Sequence, residues 1–151
     1  MTYRRVIRTV VSEPIRGSST KEHHMTERNV SGVGRAAISL TTGLEDAEKV
    51  TVALLVAVGA AEGGRSTLMF LTKEAARLAV EGVAVGVACD GCPSIDDLMA
   101  RFRAAGGELL VCPICFKSKQ LRESTLVANA RLGGTVQLWE WIGDGATTFS
   151  Y

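Results

Sequence analysis

The stretch Gly106-Gly107-Glu108-Leu109-Leu110-Val111-Cys112-Pro113-Ile114-Cys115 holds a helix stop, a strand and a helix start in immediate succession. The glycine pair ends whatever helix precedes it. Glu108 to Val111 is a short apolar run bounded by turn residues, which reads as a buried strand. Proline is favoured at the first helical position because its missing N–H is unpaired there in any case. Pro113 therefore opens a helix running to about Leu121, with Cys112 as its N-cap and Cys115 at its third position. A strand feeding straight into a helix is the repeating step of an α/β fold.

The same step recurs upstream. Ser94 caps a helix that runs to Ala105, with Asp97 three residues on and Ile95, Leu98, Met99 and Phe102 forming its apolar face. Before it, Cys89-Asp90-Gly91-Cys92-Pro93 has the chemistry of a turn. Val83 to Ala88 reads as a strand, and Thr72 caps a predicted helix from Lys73 to about Glu81. Ser66 to Leu71 is another strand. Glu45 to Glu62 keeps helical spacing through Val50, Ala53, Leu54, Ala57, Val58 and Ala61, and stops at Gly63-Gly64. Ala36 to Thr41 is the first strand. Downstream, Thr135 to Ile142 is expected to be a helix with Val136, Trp139 and Ile142 facing in, and Ala146 to Tyr151 a last strand. Trp139 and Trp141 are two positions apart and cannot share one helix face, so one is left for the surface or a subunit contact. Strands alternating with helices imply a mostly parallel sheet flanked by helices.

Composition agrees. The chain has 151 residues, room for one domain; 46% are apolar and only 5% aromatic, so the core is built from Ala, Val, Leu and Ile. Residues 1 to 35 carry a net charge of +4 and residues 36 to 151 a net charge of −3. The first segment is too poor in apolar residues to offset the entropy of ordering, and is expected to be a disordered extension or, if Met25 is the true start, an artefact of the start site. Residues 36 to 151 form the α/β domain. The overall charge of +1 gives no case for nucleic acid, and no apolar run is long enough to span a membrane. With no secretory signal pattern, the cytoplasm is the expected compartment, where paired cysteines are more often catalytic or metal-binding than structural.

The two histidines, His23 and His24, both lie in the basic segment, which removes Cys–His and Ser–His pairs from the domain. There is no phosphate-binding Gly-x-x-x-x-Gly-Lys-Ser/Thr loop. All four cysteines fall into two Cys-x-x-Cys pairs, Cys89/Cys92 and Cys112/Cys115. A thiol at a helix N-terminus meets unpaired N–H groups and the positive end of the dipole; its pKa falls, and the thiolate is the nucleophile. Lys117, Lys119 and Arg122 add positive potential close by and would suit an anionic sulfur donor. Asp90 has the opposite effect on Cys89 and Cys92. The whole pattern also lies within zinc spacing, so a tetrahedral site of Cys89, Cys92, Cys112 and Cys115 is a rival reading. Thr42 and Gly43, after the first strand, are candidate ligand-binding residues at the carboxyl end of the sheet.

The segment from Gly106 to Cys115 resembles the DsrE/DsrF-like family of small sulfur-relay proteins. So do Leu40-Thr41-Thr42-Gly43-Leu44-Glu45-Asp46, the strand Met69-Phe70-Leu71-Thr72, and the ending Gly145-Ala146-Thr147-Thr148-Phe149-Ser150-Tyr151. The likeness spans about residues 36 to 151. It implies a three-layer α/β sandwich that assembles as a homotrimer or homohexamer. It also implies that the cysteine matching Cys112 carries a persulfide between a sulfur donor and an acceptor protein, with no organic cofactor. Cys115 would resolve or tune it, and Lys117 and Lys119 would assist. Thiol–disulfide exchange at Cys112/Cys115, and a non-catalytic module with the four-cysteine zinc site, are the alternatives.

Overall fold

The computed structural model describes residues 34–151. The extension expected over residues 1 to 35 lies outside the described residues except for its last two, and Arg35 already belongs to a strand. Five strands form one sheet: β1 (Arg35–Leu40), β2 (Ser66–Leu71), β3 (Glu108–Val111), β4 (Ala130–Leu132) and β5 (Ala146–Ser150). Their order is β4-β3-β2-β1-β5, and every neighbouring pair is parallel. The helices are α1 (Ala47–Glu62), α2 (Ile95–Ala104), α3 (Pro113–Ser118) and α4 (Thr135–Ile142).

Side-chain alternation along the strands gives the sheet two unequal faces. Ile38, Leu40, Met69, Leu71, Leu109 and Val111 point to one face and are buried there with Val50, Leu54 and Val58 of α1, Ile95, Leu98 and Phe102 of α2, and Phe116 of α3. Leu68, Phe70 and Leu110 point to the other, where Cys112, Leu138 and Trp141 pack against them. This is the three-layer α/β sandwich expected, with α4 as the main cover of the second face.

α2 begins as its sequence predicts: the Ser94 hydroxyl accepts from the Asp97 N–H at 3.3 Å. It ends at Gly106, whose φ of 80° is the left-handed conformation that glycine adopts without penalty. Gly107 is buried, and a Cβ there would overlap the ring of Phe102. The turn into β3 thus depends on a missing side chain.

Several expectations are corrected. Val83 to Ala88 is not a strand but a series of turns, in which the N–H groups of Val83, Val85 and Val87 bond back to Val80, Gly82 and Ala84. Gly82 and Gly86, with φ of 79° and 71°, break any extended run. The helix expected over Lys73 to Glu81 is a 3-10 segment, Lys73–Ala79, and Thr72 makes no side-chain cap. It stops because Val80 bridges to Leu126 and the Glu81 N–H bonds to the Thr125 carbonyl. α3 is shorter than expected, ending at Ser118 before Gln120 at φ 53°. On α4 the inward residues are Leu138 and Trp141, while Val136 and Trp139 are 62% and 68% exposed. The narrow patch of Leu68, Phe70 and Leu110 accepts a single i, i+3 stripe.

Gly107→Ala forces the Phe102 ring out of its site, and overpacking of this kind costs about 1–3 kcal/mol. A chemical-denaturation curve is expected to show a lower midpoint with an unchanged slope.

Candidate functional site

The site is built where β3 becomes α3. Cys112 takes extended backbone angles, and its carbonyl accepts the first helical bond from the Phe116 N–H at 2.9 Å. Its own N–H donates to the Leu71 carbonyl at 3.0 Å, so β2 fixes it as the last rung of the sheet. With Pro113 at the first helical position, the N–H groups of Ile114 and Cys115 have no partner within the helix. The Cys112 sulfur makes no capping hydrogen bond to either of them. Cys112 and Cys115 are both free thiols and both half-buried.

Burial is the largest single influence on the Cys112 thiol and pushes its pKa up. The Cys115 N–H, the Cys115 thiol and the Ile114 N–H together outweigh burial and hold it below the ordinary value. Cys115 is itself anchored, since its sulfur accepts from the Lys73 N–H at 3.1 Å. Lys73, at φ 47°, starts the 3-10 segment that follows β2. The result is an arrangement in which the Lys73 amide anchors Cys115 one helical turn from Cys112, at the carboxyl ends of two adjacent strands. It can stabilise a thiolate, deliver a proton to a leaving group, or close a Cys112–Cys115 disulfide.

The other expected site residues fall into place unequally. Lys119 is mostly buried and forms an ion pair with Glu74, so its charge is already neutralised. Glu74 also pairs with Arg77 at 3.0 Å, and these two contacts, Lys119 first, hold its carboxyl below the usual range. Lys117 is exposed and borders a groove with Pro113 and Phe116. Thr42 and Gly43 follow β1, two strands away from β3. Gly43 is pressed against Glu74, where a Cβ would lie 2.9 Å from the Glu74 carbonyl oxygen. Gly43 thus packs on the Lys73–Glu74 turn. Lys73 and Glu74 were not anticipated as site residues. Their position after a strand next to β3 is the signal that would have pointed to them.

Cys89 and Cys92 are bonded to each other in the turn before α2. Among the described residues, no three His, Cys, Asp or Glu side chains stand together as a metal site. The zinc reading would need both cysteine pairs in one tetrahedron.

Replacing Cys115 by alanine removes one of the groups that hold the Cys112 thiolate. Alkylation of Cys112 by iodoacetamide at pH 7 is expected to slow several-fold, and Cys115→Ser, which keeps a donor, is expected to slow it less. Equal rates in all three proteins would show that Cys115 does not act on Cys112.

No protein-family model matches the chain, and no curated protein does. Solved structures do. The YchN protein from E. coli aligns with a TM-score of 0.67 at 16% identity, over 78% of this chain and 99% of that one. A protein of unknown function, MTH1491 from Methanobacterium thermoautotrophicum, aligns with a TM-score of 0.57 at 7% identity, over 78% of this chain and 98% of that one. At such identities the likeness is one of fold, and the described residues have the DsrE/DsrF-like fold of YchN.

Proposed function

We propose that this chain handles sulfur, carrying a sulfane sulfur as a persulfide on Cys112 and passing it to a partner thiol. The observation that carries the reading is the free Cys112 thiol, half-buried at the start of α3 beside a second free thiol at Cys115, with its pKa held down. A thiolate stabilised at neutral pH attacks a sulfane sulfur readily, and the same donors stabilise the persulfide anion that results. Cys115 acts as a neighbour that supplies a proton to the departing group. Lys117 provides positive potential at the entrance, while Lys119 acts indirectly, by holding the Glu74 turn against α3. The resemblance of the sequence motifs to sulfur-relay proteins points the same way.

Thiol–disulfide exchange is the second reading, and the presence of two free thiols at Cys-x-x-Cys spacing favours it. A loaded Cys112 attacked by Cys115 would release its sulfur as sulfide and leave the disulfide, so the two chemistries share one site. Whether the chain acts as a catalyst or as a carrier depends on the acceptor it meets.

Two further features belong to the same proposal. Val136 and Trp139 of α4 are large apolar side chains exposed in the single chain, which suits the homotrimer or homohexamer that the resemblance implies. No helix among the described residues is long and apolar enough to cross a membrane. The free Cys112/Cys115 pair suits a reducing compartment such as the cytoplasm, whereas the bonded Cys89–Cys92 pair suits an oxidising one.

Cyanolysis after treatment with polysulfide tests the function. The wild type should release about one thiocyanate per chain, Cys112→Ser none above background, and Cys115→Ser nearly as much as the wild type. Full loading of Cys112→Ser would remove the proposed carrier. Rapid loss of sulfide with accumulation of a Cys112–Cys115 disulfide would favour the exchange reading. Zinc retained by the purified, reduced protein would favour the metal-binding alternative.

A further inference from the structure

A cavity of about 120 Å³ lies between the turns that follow β2, one face of α2 and the connection from α3 to β4. Neither Cys112 nor Cys115 lines it. Leu78, Val80 and Val127 supply apolar wall. α2 contributes Asp96, Met99, Ala100 and Arg103, the i, i+3, i+4 and i+7 positions of a single helix face. Along α2 the lining therefore runs carboxylate, apolar pair, guanidinium.

The carboxylate is under-satisfied. Asp96 Oδ1 is buried and makes no hydrogen bond, and among the described residues it is the only buried side-chain nitrogen or oxygen in that condition. Such an oxygen costs stability until a donor reaches it. The two oxygens of a carboxylate exchange about a soft torsion, so a donor inside the cavity can meet either. Neither Asp96 nor Arg103 belongs to any of the five ion pairs among the described residues. Arg101, by contrast, is held by Glu62 through two hydrogen bonds. Asp96 and Arg103 do not relieve each other as helix neighbours do, because such pairs form three or four residues apart and not seven.

Spacing and volume define what would fit. Seven residues place the two positions about 10 Å apart along the helix axis, and a charge-assisted contact of about 3 Å at each end leaves roughly 4 Å for the ligand between them. A chain of about two or three methylenes has that length. The cavity is also close to the size of an engineered one, about 150 Å³, that admits benzene. We infer that this cavity binds a short ω-amino acid, with its ammonium on Asp96, its carboxylate on Arg103 and its methylenes against Met99, Ala100 and the apolar wall. The site is separate from the sulfur chemistry and adds a small-molecule ligand to the domain without any bond-making step.

The test titrates the full chain with 4-aminobutanoate and follows the backbone amide shifts. Saturable movement is expected at residues 78–85 and 96–103. 2-Aminobutanoate has the same atoms with its two charges adjacent, and is expected to bind at least tenfold more weakly. Butylamine and butanoate, each lacking one charge, are expected to do the same. These comparisons need no variant to fold. Arg103 is exposed, so Arg103→Gln tests the carboxylate contact without touching the core, and it too should weaken binding at least tenfold. Absence of saturable shifts, equal binding of the two isomers, or unchanged binding in Arg103→Gln overturns the inference.

Discussion

Everything distinctive about this site follows from the absence of a loop between β3 and α3. Because Pro113 starts the helix at the residue after Cys112, the free N–H groups of Ile114 and Cys115 come next to that residue and favour the ionised form of its thiol. A loop of even a few residues would turn the thiol away from these donors and leave burial to raise its pKa unopposed. Leu71 pins the backbone of Cys112 as the last rung of the sheet, and Leu68, Phe70, Leu110, Leu138 and Trp141 pack against its side chain. The thiol is therefore held in place from the strand side, and its pKa is held down from the helix side.

The second layer of the site comes from the next strand. β2 ends in a 3-10 segment whose first amide reaches the Cys115 sulfur, and Glu74 in that segment ties down Lys119 beyond the end of α3. α3 is only six residues long, too short to be stable by itself, and is clamped at both ends by this one turn. The position within the sheet is also informative. In parallel sheets, ligands gather where the order of strands reverses, which here is between β1 and β5. That crevice is crossed by the Tyr151 carbonyl, which accepts from the Thr41 N–H at 3.1 Å and from its hydroxyl at 3.2 Å. The Cys112 thiol is two strands away, at β3, beside a helix start.

Local chemistry made much of this legible. The dipeptide Cys112-Pro113 sets the helix start, Ser94 with Asp97 sets α2, and Gly106-Gly107 sets the turn between them; each acts through neighbours in sequence. The errors came where distant partners decide. Val83 to Ala88 has the apolar content of a strand, but two left-handed glycines and the demand of Ile95 N–H for the Val87 carbonyl bend it into turns. β4 has only three residues and no β-branched one, and forms because β3 offers a free edge. The inward face of α4 depended on which sheet residues lay beneath it. In the site, the two thiols could be read from spacing, whereas the Lys73 amide and the pairing of Lys119 with Glu74 depend on strands 40 or so residues apart meeting side by side.

With Cys89 and Cys92 bonded to each other, the chain has two free thiols, and their ionisation can be followed by thiolate absorbance as pH is raised. The claim at the centre of the structure is that the start of α3 holds Cys112 as a thiolate. The expected result is one transition with a midpoint clearly below about 8.5, the value of a free cysteine, absent in Cys112→Ser. A Cys112 transition at or above that value would mean that burial wins over the N–H groups, and would contradict the activation on which the proposed sulfur chemistry depends.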